Sequence, residues 1–332
     1  MRFAVVGAGA VGAFVGAMLA RAGEDVTLIA RGAHLRAMQQ NGVRVHGSLG
    51  EFLVRVPATD DPTDAGDVDV VFLALKAHSL TEMAPRLAPL LGPETTVVSA
   101  QNGVPWWYFH KHGGELEGMW LETVDPGGVI AGSLGPDRAV GCVLYCSTAI
   151  TEPGVINHME SSRFAIGEPD GSKSERCQNI SRAFIRSGLR CPIRRDIRHE
   201  VWVKLMGNAV FNPVSALTRA TLVEITRCAE TRQLASKIMS EVGRVAAALG
   251  IEIGVSDKQR LAGAEKVGHH KTSMLQDLEA GRPIELEPIV GAVIEIGTRL
   301  GISMPNTAAV YACTKLLVRS LENKGAQCLN DA

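Results

Sequence analysis

What this 332-residue chain lacks narrows its class before any motif is read. It has no excess of charge: 34 Lys and Arg stand against 35 Asp and Glu, so nothing calls for nucleic acid or an anionic membrane as partner. It has no cysteine framework. The seven cysteines, at 142, 146, 177, 191, 228, 313 and 328, form no CxxC pair, which argues against disulfides or a zinc site and for a reducing cytoplasm. No stretch reaches the roughly 18 unbroken apolar residues of a membrane span. The apolar run after Met1-Arg2 opens like a signal peptide, but Gly7, Gly9, Gly12 and Gly16 interrupt it. Aromatic residues are only 5% of the chain, yet four stand consecutively at Trp106-Trp107-Tyr108-Phe109. What is present is an ordinary globular composition, 46% hydrophobic and 21% charged, in a chain long enough for two cores.

The interruptions near the N-terminus have their own logic. Residues 2–6 read as a short apolar strand, Gly7-Ala8-Gly9-Ala10-Val11-Gly12 follows, then an amphipathic helix to Arg21 and a second strand over 26–30. GxGxxG alone is weak, but between a strand and a helix of a βαβ unit it predicts a dinucleotide site. The glycines make the tight turn and let backbone approach a pyrophosphate at the helix N-terminus. NAD sites usually place an acid at the end of the second strand. Here that place holds Arg31, and no acid follows until Glu51. A guanidinium there pairs with a 2′-phosphate and favours NADPH; the alternative is an exposed arginine at a helix start.

Residues 43–56 alternate as one or two strands, and residues 68–75 read as a buried parallel strand ending at Lys76. A helix carrying Leu80, Met83, Leu87 and Leu91 comes next, then a strand over 95–100 ending at Gln101-Asn102-Gly103. Lys76 and Asn102 thus stand at carboxyl ends of parallel strands, where open α/β sheets bind ligands; singly, each is equally a polar strand end in solvent. Residues 105–128 lose all period and read as a lid or a contact surface. His110 and His112 have no third ligand at usable spacing, so no metal is expected. Strands at 139–149, 154–158 and 163–167, a helix over 174–187 and a short strand at 190–193 complete a first domain at 1–193.

From Asp196 onward strand signals vanish, and an all-helical domain is expected over 194–325 with a tail at 326–332. Helices are predicted at about 230–249, 256–266, 272–280, 285–300 and 305–323, after a long one capped by Asp196. That long helix carries Lys204-x3-Asn208-x3-Asn212-Pro213, whose polar residues stack along one face while almost every neighbour is apolar. Either the lysine snorkels beside amides that satisfy nearby backbone, or the three form a wall of one donor cation and two bifunctional amides facing a polar ligand. The segment Ser273-Met274-Leu275-Gln276-Asp277 and, beyond Pro283, Glu285 stand out next; they read equally as a cap and a dipole-matched surface acid.

Together the glycine loop, Arg31, Lys76, Gln101-Asn102-Gly103, the Lys204–Asn212 triplet and the SMLQD segment with Glu285 resemble the ketopantoate reductase (2-dehydropantoate 2-reductase) family, in order and over nearly the whole chain. The resemblance implies an α/β Rossmann-type N-terminal domain and an all-α C-terminal domain of the 6-phosphogluconate dehydrogenase C-terminal type. It implies NADPH-dependent reduction of a 2-oxo acid, 2-dehydropantoate to pantoate in pantothenate biosynthesis or a relative of it, by a cytoplasmic enzyme. By the same resemblance Lys204 is the proton donor, and Asn102, Asn208, Asn212 and Ser273 bind substrate, Ser273 toward its carboxylate. Residues 7–12, Arg31, Lys76, Asn102 and Glu285 would hold NADPH. The chemistry suits these residue types: an alkoxide developing at the 2-oxo carbon needs a proton and a nearby positive charge, and a partly desolvated lysine supplies both.

Two departures bear on the substrate. A further asparagine usual in the family about ten residues beyond Asn212 is absent, and Leu222 stands there. The segment 105–128 is longer and more aromatic than the pattern requires. If Trp106 and Trp107 close over the substrate, these changes predict a pocket that takes bulkier or more apolar 2-oxo acids at least as well. The competing functions are an imine-reducing, opine-type dehydrogenase and a non-catalytic NADPH-binding regulator. The apolar helical domain suits a homodimer.

Overall fold

The computed structural model describes residues 1–330, with side chains through Glu322. The chain divides into two compact units, Met1–Glu200 and Val201–Ala332.

The first unit is built on one nine-stranded sheet. Its elements are β1 (Arg2–Val6), α1 (Ala10–Arg21), β2 (Asp25–Ile29), α2 (Gly32–Asn41), β3 (Val43–Gly47), β4 (Phe52–Val54), β5 (Ala58–Thr59), β6 (Val68–Leu73), α3 (Ala77–Met83), β7 (Leu91–Ser99), α4 (Val129–Leu134), β8 (Ala139–Glu152), β9 (Val155–Gly167) and α5 (Glu175–Arg186). The spatial order is β4-β3-β9-β8-β7-β6-β1-β2-β5. Its right-hand part, β8-β7-β6-β1-β2-β5, is the doubly wound Rossmann order, all parallel. Parallel strands are covered on both faces, which is why β1 and β6 are apolar after their first residues and buried. The core centres on Phe72, Phe164 and Phe184, whose rings lie 5.7–6.4 Å apart in edge-on and tilted contact. The remaining strands extend the sheet: β9 folds back antiparallel on β8, and β3 pairs parallel with β9.

Several local expectations are corrected. The helix predicted through Leu91 ends at Met83; Pro85 and Pro89 turn the next residues into a tighter 3₁₀ stretch, Ala84–Leu90, and Leu91 already belongs to β7. The strand expected at 190–193 is reduced to two isolated parallel bridges, Arg163 to Arg190 and Ile166 to Ile193. The aromatic run is neither lid nor contact surface. Trp106, Trp107, Tyr108 and Phe109 are all at most 4% exposed, and Arg198 donates to the carbonyls of Tyr108, His110 and Pro169 around them. Trp107 lies against Gly141, where a Cβ would meet its ring at 2.5 Å. These residues are core, and the apolar pocket wall expected of Trp106 and Trp107 falls with the lid.

The second unit is helical: α6 (Ile197–Thr218, beginning in the first unit), α7 (Leu222–Arg227), α8 (Ala229–Ala248), α9 (Asp257–Val267), α10 (Ser273–Glu279), α11 (Ala292–Arg299) and α12 (Pro305–Asn330). Asp196 caps α6 as expected, accepting from His199 N–H at 2.8 Å. The short α7, opened by a capping box between Thr221 and Glu224, escaped the periodicity. Ahead of α11 the helix opens into a π turn, Glu287–Gly291. Buried Trp202, Leu205, Met206, Ala209 and Val210 of α6 and Ile238, Met239, Val242 and Val245 of α8 belong to this unit's core. Glu241, also buried, accepts hydrogen bonds from the main-chain and side-chain donors of Asn306 and Thr307 at the start of α12. The tail expected at 326–332 falls on the end of α12 and on residues 331–332, which lie outside the described residues.

Candidate active site

Four neighbouring parallel strands end level. Val6 pairs with Ile29 on one side and Leu73 on the other, and Leu73 pairs with Ser99. The segments leaving these positions therefore share one edge of the sheet: the glycine loop, Arg31, Lys76 and Asn102. Each glycine of the loop has a separate reason. Gly7 takes φ +88°, and a Cβ there would meet Leu75 N at 2.8 Å. A Cβ at Gly12 would lie 2.3 Å from the Gly7 carbonyl oxygen, so only glycine lets α1 sit so close to β1. Gly9 differs: its nearest neighbour would be 4.0 Å away, so the protein itself does not require a glycine there. It caps α1 with no side chain, and the first turn holds Ala10, Val11 and Gly12 with no acid. Open space at an uncapped helix N-terminus suits an anion, and the loop fits a dinucleotide pyrophosphate.

Arg31 caps α2 with its main chain while its exposed side chain makes no hydrogen bond or ion pair among the described residues. Lys76 caps α3 and Asn102 follows β7; both are half-buried and both are engaged. Beside Asn102, Gln101 accepts from Ser99 Oγ at 3.2 Å, but its Nε2 is buried without a partner among the described residues. His34 was not singled out by the sequence. Its Nδ1 accepts from Gly154 N–H at 3.0 Å, and burial holds its pKa below the ordinary histidine value against the pull of the Ala8 carbonyl in the glycine loop. No spacing rule would have found it, because Gly154 is 120 residues away.

In the second unit, α6 brings Lys204, Asn208 and Asn212 onto one face as predicted from their spacing. Lys204 and Asn208 are half-buried, and Asn212 is 4% exposed. Asn212 Nδ2 has no hydrogen-bond partner among the described residues. Such a buried donor costs about 1–3 kcal/mol unless something accepts from it, which favours a face turned to a polar ligand over the snorkelling alternative. Ser273 opens α10, but the capping hydroxyl is that of Thr272, which accepts from Leu275 N–H at 3.2 Å. Ser273 is therefore not spent as a cap. Glu285 stands just before the helical run that begins at Leu286 rather than within its first turn, and it is buried at 9% exposure.

A Rossmann sheet with a glycine-loop cradle, followed by a helical unit with a lysine–asparagine stripe, defines the class: a nicotinamide-dinucleotide oxidoreductase of the two-unit kind. The comparisons narrow it. Residues 3–171 match the family described as ketopantoate reductase PanE/ApbA, and residues 196–318 match its C-terminal domain. A 2-dehydropantoate 2-reductase of Mesorhizobium japonicum is 47% identical over 96% of this chain and 98% of its own. Among solved structures, a provisionally assigned ketopantoate reductase of Ralstonia solanacearum MolK2 superposes with a TM-score of 0.92 at 39% identity, covering 97% of this chain and 98% of that one. A 2-dehydropantoate 2-reductase of Geobacter metallireducens GS-15 gives 0.84 at 28%, covering 96% and 100%. The chain belongs to the ketopantoate reductase family.

Proposed function

We propose that this chain reduces 2-dehydropantoate to pantoate with NADPH. The observation that carries the reading is the α6 stripe, where a half-buried lysine and two amides stand on one face and Asn212 Nδ2 is buried without an acceptor among the described residues, which an oxo acid can supply. Family membership over both units supports it. NADPH supplies the hydride when bound. The chain's part is to hold the cofactor and to stabilise and protonate the oxygen that develops negative charge. The loop of Gly7, Ala8, Gly9, Ala10, Val11 and Gly12 takes the pyrophosphate, and Arg31 takes the 2′-phosphate that distinguishes NADPH from NADH. Lys76 and Glu285 hold the cofactor further, and Asn102 touches cofactor and substrate. Lys204 gives its proton to the 2-oxo oxygen, and its charge favours that oxygen before transfer. Asn208, Asn212 and Ser273 orient the substrate, Ser273 at the carboxylate.

The test is NADPH oxidation over a panel of 2-oxo acids, ketopantoate first, with branched and aromatic acids included because Leu222 replaces an amide. Ketopantoate should show the highest kcat/KM, without amine. Turnover that requires an amine would make the chain an imine reductase, and tight NADPH binding without turnover would make it a regulator. A homodimer in the cytoplasm belongs to the same reading; the free cysteines at 142, 146, 177, 191, 228 and 313 support the reducing compartment and say nothing of the dimer. Sedimentation of the purified chain tests the dimer.

A further inference from the structure

The run that leads from Glu285 into α11 is not an ordinary helix start. Glu287–Gly291 form a π turn, closed by the Ala292 N–H donating to the Glu287 carbonyl five residues back. A π turn holds one residue more than an α turn, so it rotates what precedes it by about 100° relative to α11. Such turns are rare and cluster at functional sites. Glu287 is held a second time, by its side chain. The Tyr311 hydroxyl lies 2.9 and 2.8 Å from its two carboxylate oxygens. Lys315 Nζ lies 3.0 Å from one of those oxygens and donates to the Tyr311 oxygen at 2.8 Å. Tyr311 and Lys315 stand four residues apart on α12 and so share a face. Burial, with Glu287 beside it, holds the phenol above its ordinary pKa against the pull of Lys315, so Tyr311 keeps a proton to donate.

The Lys315 and Glu287 side chains are 41% and 39% exposed, and an ion pair that exposed adds little to stability. What the cluster fixes is position. The start of α12 is itself anchored, through the bonds that Asn306 and Thr307 give to buried Glu241. That helix therefore offers a fixed frame on which the carboxylate of Glu287 is set. Glu285 stands only two residues earlier, joined through buried Leu286, and is itself buried. We propose that Tyr311, backed by Lys315, is a positioning residue: through Glu287 and its π turn it sets the carboxylate of Glu285 for the cofactor. The proposal rests on the reading above in which Glu285 holds NADPH.

The experiment measures NADPH affinity by fluorescence titration in wild type, Tyr311→Phe, Glu285→Ala and the double variant. Tyr311→Phe keeps the ring and removes only the hydroxyl that donates to Glu287. It should weaken NADPH about 2- to 10-fold, within the range found for coupled neighbours. In the Glu285→Ala background the same substitution should change nothing further. That dependence separates positioning from a general loss of packing, which would weaken both backgrounds alike. A Tyr311→Phe variant within about 1.5-fold of wild type, or one that loses the same factor in both backgrounds, overturns this inference alone. A wild type that binds no NADPH, or a Glu285→Ala variant that binds it as wild type does, overturns the reading of Glu285 and the inference with it.

Discussion

The two units offer a ligand different things. At the carboxyl edge of the sheet the first unit presents mostly backbone: a loop of three glycines, an uncapped helix start, and a few side chains carried just past strand ends. On α6 the second unit presents side chains only, set four residues apart on a helix whose other faces are packed. Backbone donors cannot be changed by substitution and suit a part of the ligand that every related enzyme shares. Side chains on a helix face change one at a time and suit the part that reacts and differs. Loss of a first-unit contact should thus appear mainly in cofactor affinity, and loss of an α6 contact mainly in turnover or substrate KM.

The largest effect expected is at Lys204. Lys204→Ala should lower kcat by about 10²–10⁴ with NADPH affinity nearly intact; a variant within threefold of wild type would remove Lys204 from the chemistry. Next, Arg31→Ala should weaken NADPH by about 10- to 150-fold and leave NADH untouched, as one charged contact to phosphate is worth about 1.5–3 kcal/mol. Equal losses for both cofactors would make Arg31 structural. Gly12→Ala places a methyl where the Gly7 carbonyl already stands, and the strain of about 1–3 kcal/mol should weaken both cofactors alike by about 5- to 150-fold. Titration of NADPH and NADH into this variant separates it from Arg31→Ala.

The smallest effect tests whether the second unit's framework is independent of its site. Burial alone would raise the Glu241 pKa, but the donors of Thr307 and Asn306 outweigh it and hold the carboxyl below its ordinary value. A folded pKa below the unfolded one means stability that is present above the unfolded value, near 4.5, and lost as pH falls through the folded one. Glu241→Gln should therefore lower Tm near neutral pH and flatten its fall in acid, while KM values stay put. A Tm profile parallel to wild type would show that the charge is not what holds α12.

How much of this was legible in the sequence follows the range of the interactions. The glycine loop could be read because strand, turn and helix lie within twenty residues and each glycine answers a local demand. The Lys204–Asn212 face could be read because helical spacing alone sets it. His34 could not, since its place beside the glycine loop depends on Gly154, 120 residues away. The aromatic run misled because its partners, Gly141 and Arg198, come from distant strands and helices. Residues 43–56 read as strands, but their pairing with β9 joins Arg44 to Val155 and left no trace in either segment.

That last pairing has a consequence for how the chain assembles. Strands β1, β2, β5 and β6 find all their neighbours within the first 99 residues, so this half of the sheet can form from an incomplete chain. The β3–β4 pair is made early but has no place in the sheet until β9 is synthesised, and β9 is held only through β8. A nascent chain shorter than about 155 residues thus carries β3 with an open, unpaired edge, the kind of strand that invites association with other chains. Closure of the sheet comes late and over a long loop, whose entropy must be paid before the pairing repays it.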